Sequence, residues 1–162
     1  MYLLRPGIKE DPVRRWNLPD RVFFACGACH ILAHAFLERF PGAGFRPIWI
    51  RPRRGRTGHH VLVTNRDLAF DYHGYAPYAR LIEHYTRRAR RLFADWEADL
   101  VPVTVSLVNR QEAKTAGMDI REPGQFLRDA LPRARRYLER FDHRAVQLGA
   151  STGKTSDASI QG

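Results

Sequence analysis

Residues 25 to 36 read ACGACHILAHAF, which puts Cys26, Cys29, His30 and His34 within nine consecutive positions. Four chemistries use such a cluster. C-x-x-C-H is the attachment pattern of a covalent haem, and two cysteines with two histidines can hold zinc. C-x-x-C can cycle between dithiol and disulfide, and a cysteine at the start of a helix can serve as a nucleophile, because free N–H groups and the helix dipole favour its thiolate. Covalent haem needs export and an all-helical setting, whereas this chain predicts at least three strands. Four zinc ligands within nine residues leave little room for a tetrahedron, and no second C-x-x-C follows. No metal and no cofactor is therefore expected, which leaves a redox pair, a nucleophile, or two small side chains buried as core.

The segments around the cluster limit the choice further. Residues 1 to 20, with Pro6, Pro12 and Pro19, read as a lead-in without regular structure. RVFFA at 21 to 25 is a short apolar run stopped by Cys26-Gly27. From Ala28 the period turns helical through Leu32, Ala33, Phe36, Leu37 and Phe40, until PGAG at 41 to 44. Three strand candidates follow at 45 to 50, 59 to 64 and 68 to 73, the last two joined by Asn65-Arg66-Asp67 as a hairpin, with a break at Gly74 to Pro77. An apolar stripe from Tyr78 to Trp96 predicts a helix. A bent or edge strand is expected at 100 to 108 and a helix over 125 to 141 interrupted by Pro132. The class is α+β. Residues 1 to 144 are expected to form a single domain and 145 to 162 a disordered tail.

Redox use of Cys26 and Cys29 would follow the thioredoxin order of strand, C-x-x-C and helix, although thioredoxin-like chains place a full βα unit ahead of the motif. The nucleophile has the closer likeness. CGACHILA at 26 to 33, with Leu37-Glu38 beyond, resembles the segment of papain-like cysteine peptidases in which the second cysteine opens a central helix and attacks the substrate carbonyl. GHHVLV at 58 to 63 and AFDYHGY at 69 to 75 resemble the histidine and Asn/Asp strands that follow in papain-like and transglutaminase-like proteins. The likeness covers about residues 22 to 75 and points to compact bacterial relatives. It implies a papain-like core, with an N-terminal helix bearing the cysteine packed on a small antiparallel sheet and additional helices C-terminal to it. It also implies Cys29 as nucleophile, His60 as base and Asp71 as the group that orients the base. Where the glutamine of papain's oxyanion hole would fall stands Phe23, so only the Cys29 N–H is assigned to that role.

Strand alternation selects among the histidines. His60, Leu62 and Thr64 share one face of their strand, and Ala69, Asp71 and His73 share one face of the next. A two- or four-residue turn joins His60 with Asp71, whereas a three-residue loop would bring His59 to Asp71 instead. His59, Cys26, His30 and His73 remain as alternates or cleft-lining residues, with Cys26 able to cover the nucleophile as a reversible disulfide.

Composition sets the partners. The net charge is +10, from 24 arginines and 3 lysines against 17 acids. Arginine clusters at 51 to 56, 87 to 91 and 133 to 136 make nucleic acid a secondary candidate, but no helix-turn-helix, zinc-finger or RNA-recognition signature accompanies them. A peptide or protein substrate is expected, with the basic loop at 51 to 56 favouring acidic ones. No apolar run nears the roughly 20 residues of a membrane span. MYLLRPGIKEDP lacks the unbroken apolar stretch of an export signal, so the expected location is cytoplasmic.

Overall fold

The computed structural model describes Tyr2, residues 4–144 and Val146, so the expected tail lies almost wholly outside the described residues. Most elements start on a local signal. Helix α1 (Pro12–Trp16) opens with proline in its first turn behind Asp11, whose carboxylate accepts from the N–H groups of Val13 and Arg14 at 2.9 Å. The proline read as punctuation in an irregular lead-in is therefore a helix start. Helix α2 (Asp20–Ala25) replaces the strand that RVFFA suggested. A five-residue apolar run fits either period. Asp20 supplies the acidic first turn, and Phe23 and Phe24 turn inward together while Arg21 stays exposed. Gly27, at φ 118°, then takes a backbone conformation that side chains disfavour, and α3 (Cys29–Arg39) begins two residues later. Cys29 through Ala33, Ala35 and Phe36 are all buried, so α3 is enclosed nearly all round, as a central helix must be.

Five antiparallel strands form one sheet in the order β4-β3-β2-β1-β5. They are β1 (Arg46–Pro52), β2 (His60–Thr64), β3 (Leu68–Asp71), β4 (Gly74–Pro77) and β5 (Ala98–Pro102). Every residue of β2 is buried, which identifies it as the strand covered on both faces. Phe36 of α3 stacks on Phe70 at 4.8 Å on one side. On the other, helix α4 (Tyr78–Arg90) brings Tyr85 against His60.

The break expected at Gly74 to Pro77 is strand β4. Gly74, at φ 98° and opposite Asp71, closes a two-residue turn, and Pro77 sits on an edge strand where its missing N–H costs nothing. A Cβ at Gly74 would stand 2.9 Å from the Phe141 ring, so this glycine is also required by packing. The strand expected at 100 to 108 is shorter and lies at the opposite edge, ending at Pro102. Beyond it, Asn109 caps helix α5 (Arg110–Thr115) by accepting from Glu112 N–H. Pro132 does not interrupt a long helix. It lies in the first turn of α6 (Leu131–Leu138), where a proline lacks no needed bond. Helix α6 packs against α3 from behind, with Phe24 stacked on Tyr137 at 5.0 Å.

Candidate active site

A cleft of about 880 Å³ opens where α3 begins, and its lining includes Cys29, His60, His30, Cys26 and His59. The position of Cys29 follows from the α2-to-α3 connection. No side chain caps α3, so the N–H groups of its first turn and the positive end of its dipole remain available to a charge on the Cys29 sulfur. That sulfur accepts the Val61 N–H at 3.4 Å. Both cysteines are free thiols.

The β2-β3 hairpin sets the second group. Val63 pairs with Phe70 and Thr64 with Ala69, a register with a four-residue connection that puts His60 and Asp71 on one face. His60 Nε2 donates to Asp71 Oδ2 at 3.0 Å, with both side chains fully buried. Its Nδ1 has no hydrogen bond of normal geometry among the described residues and is the ring atom left to face Cys29. The imidazole is held between aromatic rings, Tyr85 stacked at 4.9 Å and 12°, and Tyr72 edge-on at 5.2 Å. Asp71 in turn accepts from the His73 backbone N–H at 2.7 Å and bonds its Nδ1 at 3.1 Å, so the carboxylate is fixed from two sides.

These contacts shape the charge states. Burial alone would push the Cys29 thiol up, but hydrogen bonding and charge from His30 and His60 outweigh it and hold the thiol well below its ordinary value. Burial opposes a charge on His60 as well, yet the bond to Asp71 and the nearby Cys29 sulfur raise it to about 9. Asp71 is driven far down against the same penalty by His60 and His73. All three shifts run toward the charged forms, a carboxylate on Asp71, an imidazolium on His60 and a thiolate on Cys29.

The other sequence candidates take separate places. His59 stacks on Trp49 at 5.4 Å and accepts its indole N–H at 3.2 Å on Nδ1, so it belongs to β1's side of the cleft and does not reach Asp71. His30 donates from Nε2 to the Arg121 carbonyl at 2.8 Å, tying α3 to the segment that forms the far wall. His73 supports Asp71 rather than lining the cleft. Cys26 points to the Tyr2 carbonyl at 3.9 Å, and burial raises its thiol, opposite to its neighbour. Among the described residues no three His, Cys, Asp or Glu side chains are grouped as metal ligands would be.

Sequence reading missed four parts of the site. Tyr85 was legible only as one apolar position on α4, and nothing in its spacing marks it as the partner of an imidazole. Trp49 and the two irregular segments 4–10 and 117–121 complete the walls. Irregular segments leave no periodic signal to find. Compared with protein-family models, curated proteins and solved structures, the chain has no match in any of the three.

The arginine clusters are largely engaged within the protein. Arg51 and Arg53 bond Asp99, Arg53 also reaches Glu97, and Arg56 bonds Asp95. Arg133 lies 12% exposed against Asp20, donates to the carbonyls of Trp16 and Leu18, and stacks 4.1 Å over Phe23. Arg135 bonds Glu38. Most of the charge of the loop at 51 to 56 is therefore offset by Asp95, Glu97 and Asp99. No helix among the described residues is long and apolar enough to cross a membrane.

Proposed function

We propose that this protein is a cysteine-dependent hydrolase or acyltransferase of papain-like type, acting on an amide or thioester through Cys29, His60 and Asp71. The observation that carries the reading is the His60 Nε2 to Asp71 Oδ2 bond of 3.0 Å, made inside the fold with the opposite ring nitrogen unengaged beside a cysteine that begins a helix. A buried carboxylate on one nitrogen fixes the tautomer and makes the other nitrogen the proton carrier.

The chemistry follows from those positions. The Cys29 thiolate attacks the carbonyl carbon, and the developing oxyanion meets the Cys29 N–H at the helix start. His60 Nδ1–H gives its proton to the departing amine or thiol, leaving an acyl thioester on Cys29. Water or an acceptor amine then gives its proton to Nδ1 as it attacks, the thioester bond breaks, and the ion pair is restored. Asp71 keeps its charge throughout. A redox reading draws on the same cysteines, but the strand it needs ahead of C-x-x-C is helix α2, and the sheet has no parallel pair.

Turnover of a peptide library and of acyl thioesters, followed by mass spectrometry, tests the proposal. Activity is expected to vanish in Cys29→Ala and His60→Ala and to persist in Cys26→Ala. Dependence on both cysteines with His60 dispensable would replace it with a thiol oxidoreductase.

A further inference from the structure

The cations that face the cleft are not the ones in the basic loop. Arg5, Lys9 and Arg121 line its walls, and among the described residues none of their side chains makes a hydrogen bond or ion pair. Two carboxylates share the lining, and each already has a guanidinium nearby. Asp119 accepts from Arg110 at 3.1 Å, and Glu10 lies in the field of Arg15. The mouth thus carries an uncompensated positive charge in the cleft that holds the Cys29 sulfur.

Two of these cations are well placed. Arg121 is half-buried, and its backbone is fastened to the residue next to the nucleophile by the His30 bond of 2.8 Å. Lys9 is felt on both flanks of the site. It acts against burial to lower the Cys26 thiol, and together with burial and Arg51 it lowers His59, while the charge on Cys29 raises it. Lys9, Cys26 and His59 line the same opening. Cations in a concave, partly dry wall attract anions more strongly than the same groups on a convex surface, and a guanidinium suits a carboxylate in particular.

We propose that the cleft selects substrates carrying a carboxylate within a few bonds of the reacting carbonyl, in effect acidic peptide segments, and that Lys9 and Arg121 hold that carboxylate. This rests on Cys29 being the nucleophile.

Two disulfide probes separate the questions, both in a Cys26→Ala background so that one thiol reacts. 5,5′-Dithiobis(2-nitrobenzoate) carries a carboxylate on each ring, and 2,2′-dithiodipyridine is neutral. In either case the Cys29 thiolate attacks one sulfur, forms a mixed disulfide and expels the other half as a thiolate or thione. The ratio of the anionic to the neutral rate constant corrects for any change in the thiol itself. Two charges about 8 Å from a carboxylate in a water-like medium predict that the ratio falls about fivefold in Lys9→Gln/Arg121→Gln at low ionic strength. Salt is expected to abolish the difference, and Lys9→Glu to lower the ratio again. An equal ratio in parent and double variant overturns the anion preference alone. A parent Cys29 that reacts with the neutral probe no faster than an ordinary thiol overturns the nucleophile and the preference with it.

Discussion

Replacing Asp71 by asparagine perturbs one atom of the site and tests the whole arrangement. In the native protein Asp71 is an acceptor only, taking protons from His60 Nε2 at 3.0 Å and from the His73 N–H at 2.7 Å. Asparagine can keep one of these bonds. If its oxygen stays on His73, its NH₂ faces His60 Nε2 and forces that nitrogen to become the acceptor, which moves the ring proton to Nδ1 in the neutral form. The imidazolium is no longer supported, and Nδ1 cannot accept a proton from a reacting group. A swap of this kind at a triad costs about 10⁴-fold in turnover. A second effect is measurable without a substrate. A thiol with an ordinary pKa of about 8.5 is ionised to only about one part in 300 at pH 6. Cys29 is held well below that value by His30 and His60 together, so losing the His60 contribution slows alkylation at pH 6, with about 300-fold as the ceiling. The assay is iodoacetamide labelling across pH, with the modified cysteine identified by mass. The inflection is expected to move upward in Asp71→Asn and further in His60→Ala. An unchanged profile in Asp71→Asn, in a protein that melts as the parent does, would refute the coupling of carboxylate, imidazole and sulfur.

Tyr85→Leu removes the ring stacked on His60, and a desolvated cation–π contact of about 1 kcal/mol corresponds to a fall of nearly one unit in the pH at which His60 loses its proton. Tyr85→Phe keeps the ring and is expected to titrate as the parent does by imidazole NMR; an unmoved Tyr85→Leu titration would dismiss the stack as packing. Because His60 rises from about 6.5 unfolded to about 9 folded, its stabilisation is whole below about pH 6.5 and fades as pH climbs through about 9. Melting temperature should fall over that window in the parent and much less in His60→Asn, and equal slopes would argue against a charged His60.

Much of the site's frame was legible because alternation and helical period are written in consecutive residues. The period starting at Ala28 locates the helix, and the parity of residues 60 to 64 against 69 to 73 brings His60 and Asp71 to one face once the connection is two or four residues long. What could not be read depends on residues far apart in the chain. RVFFA is too short to declare a period, and its helix is settled by Pro19-Asp20 and by Phe23 and Phe24 packing on Phe126 and Tyr137. The basic loop read as free charge because its acids, Asp95, Glu97 and Asp99, arrive some forty residues later, just before and on the edge strand β5. The cleft walls are irregular segments from the two ends of the fold, and only the tertiary structure brings Lys9 and Arg121 to one opening.

The clamp behind the hairpin has a consequence for the order in which this protein becomes competent. The turn that follows Asp71 is gripped by late residues, with Tyr137 donating to the Tyr72 carbonyl at 2.8 Å, Phe141 seated against Gly74, and Tyr75 bonded to His143 at 2.6 Å. Sulfur, imidazole and carboxylate all leave the ribosome long before these fasteners do. A nascent chain therefore carries sulfur, imidazole and carboxylate before the residues that hold the turn after Asp71 exist, and the geometry around the thiol is secured only once residues 137 to 143 have emerged.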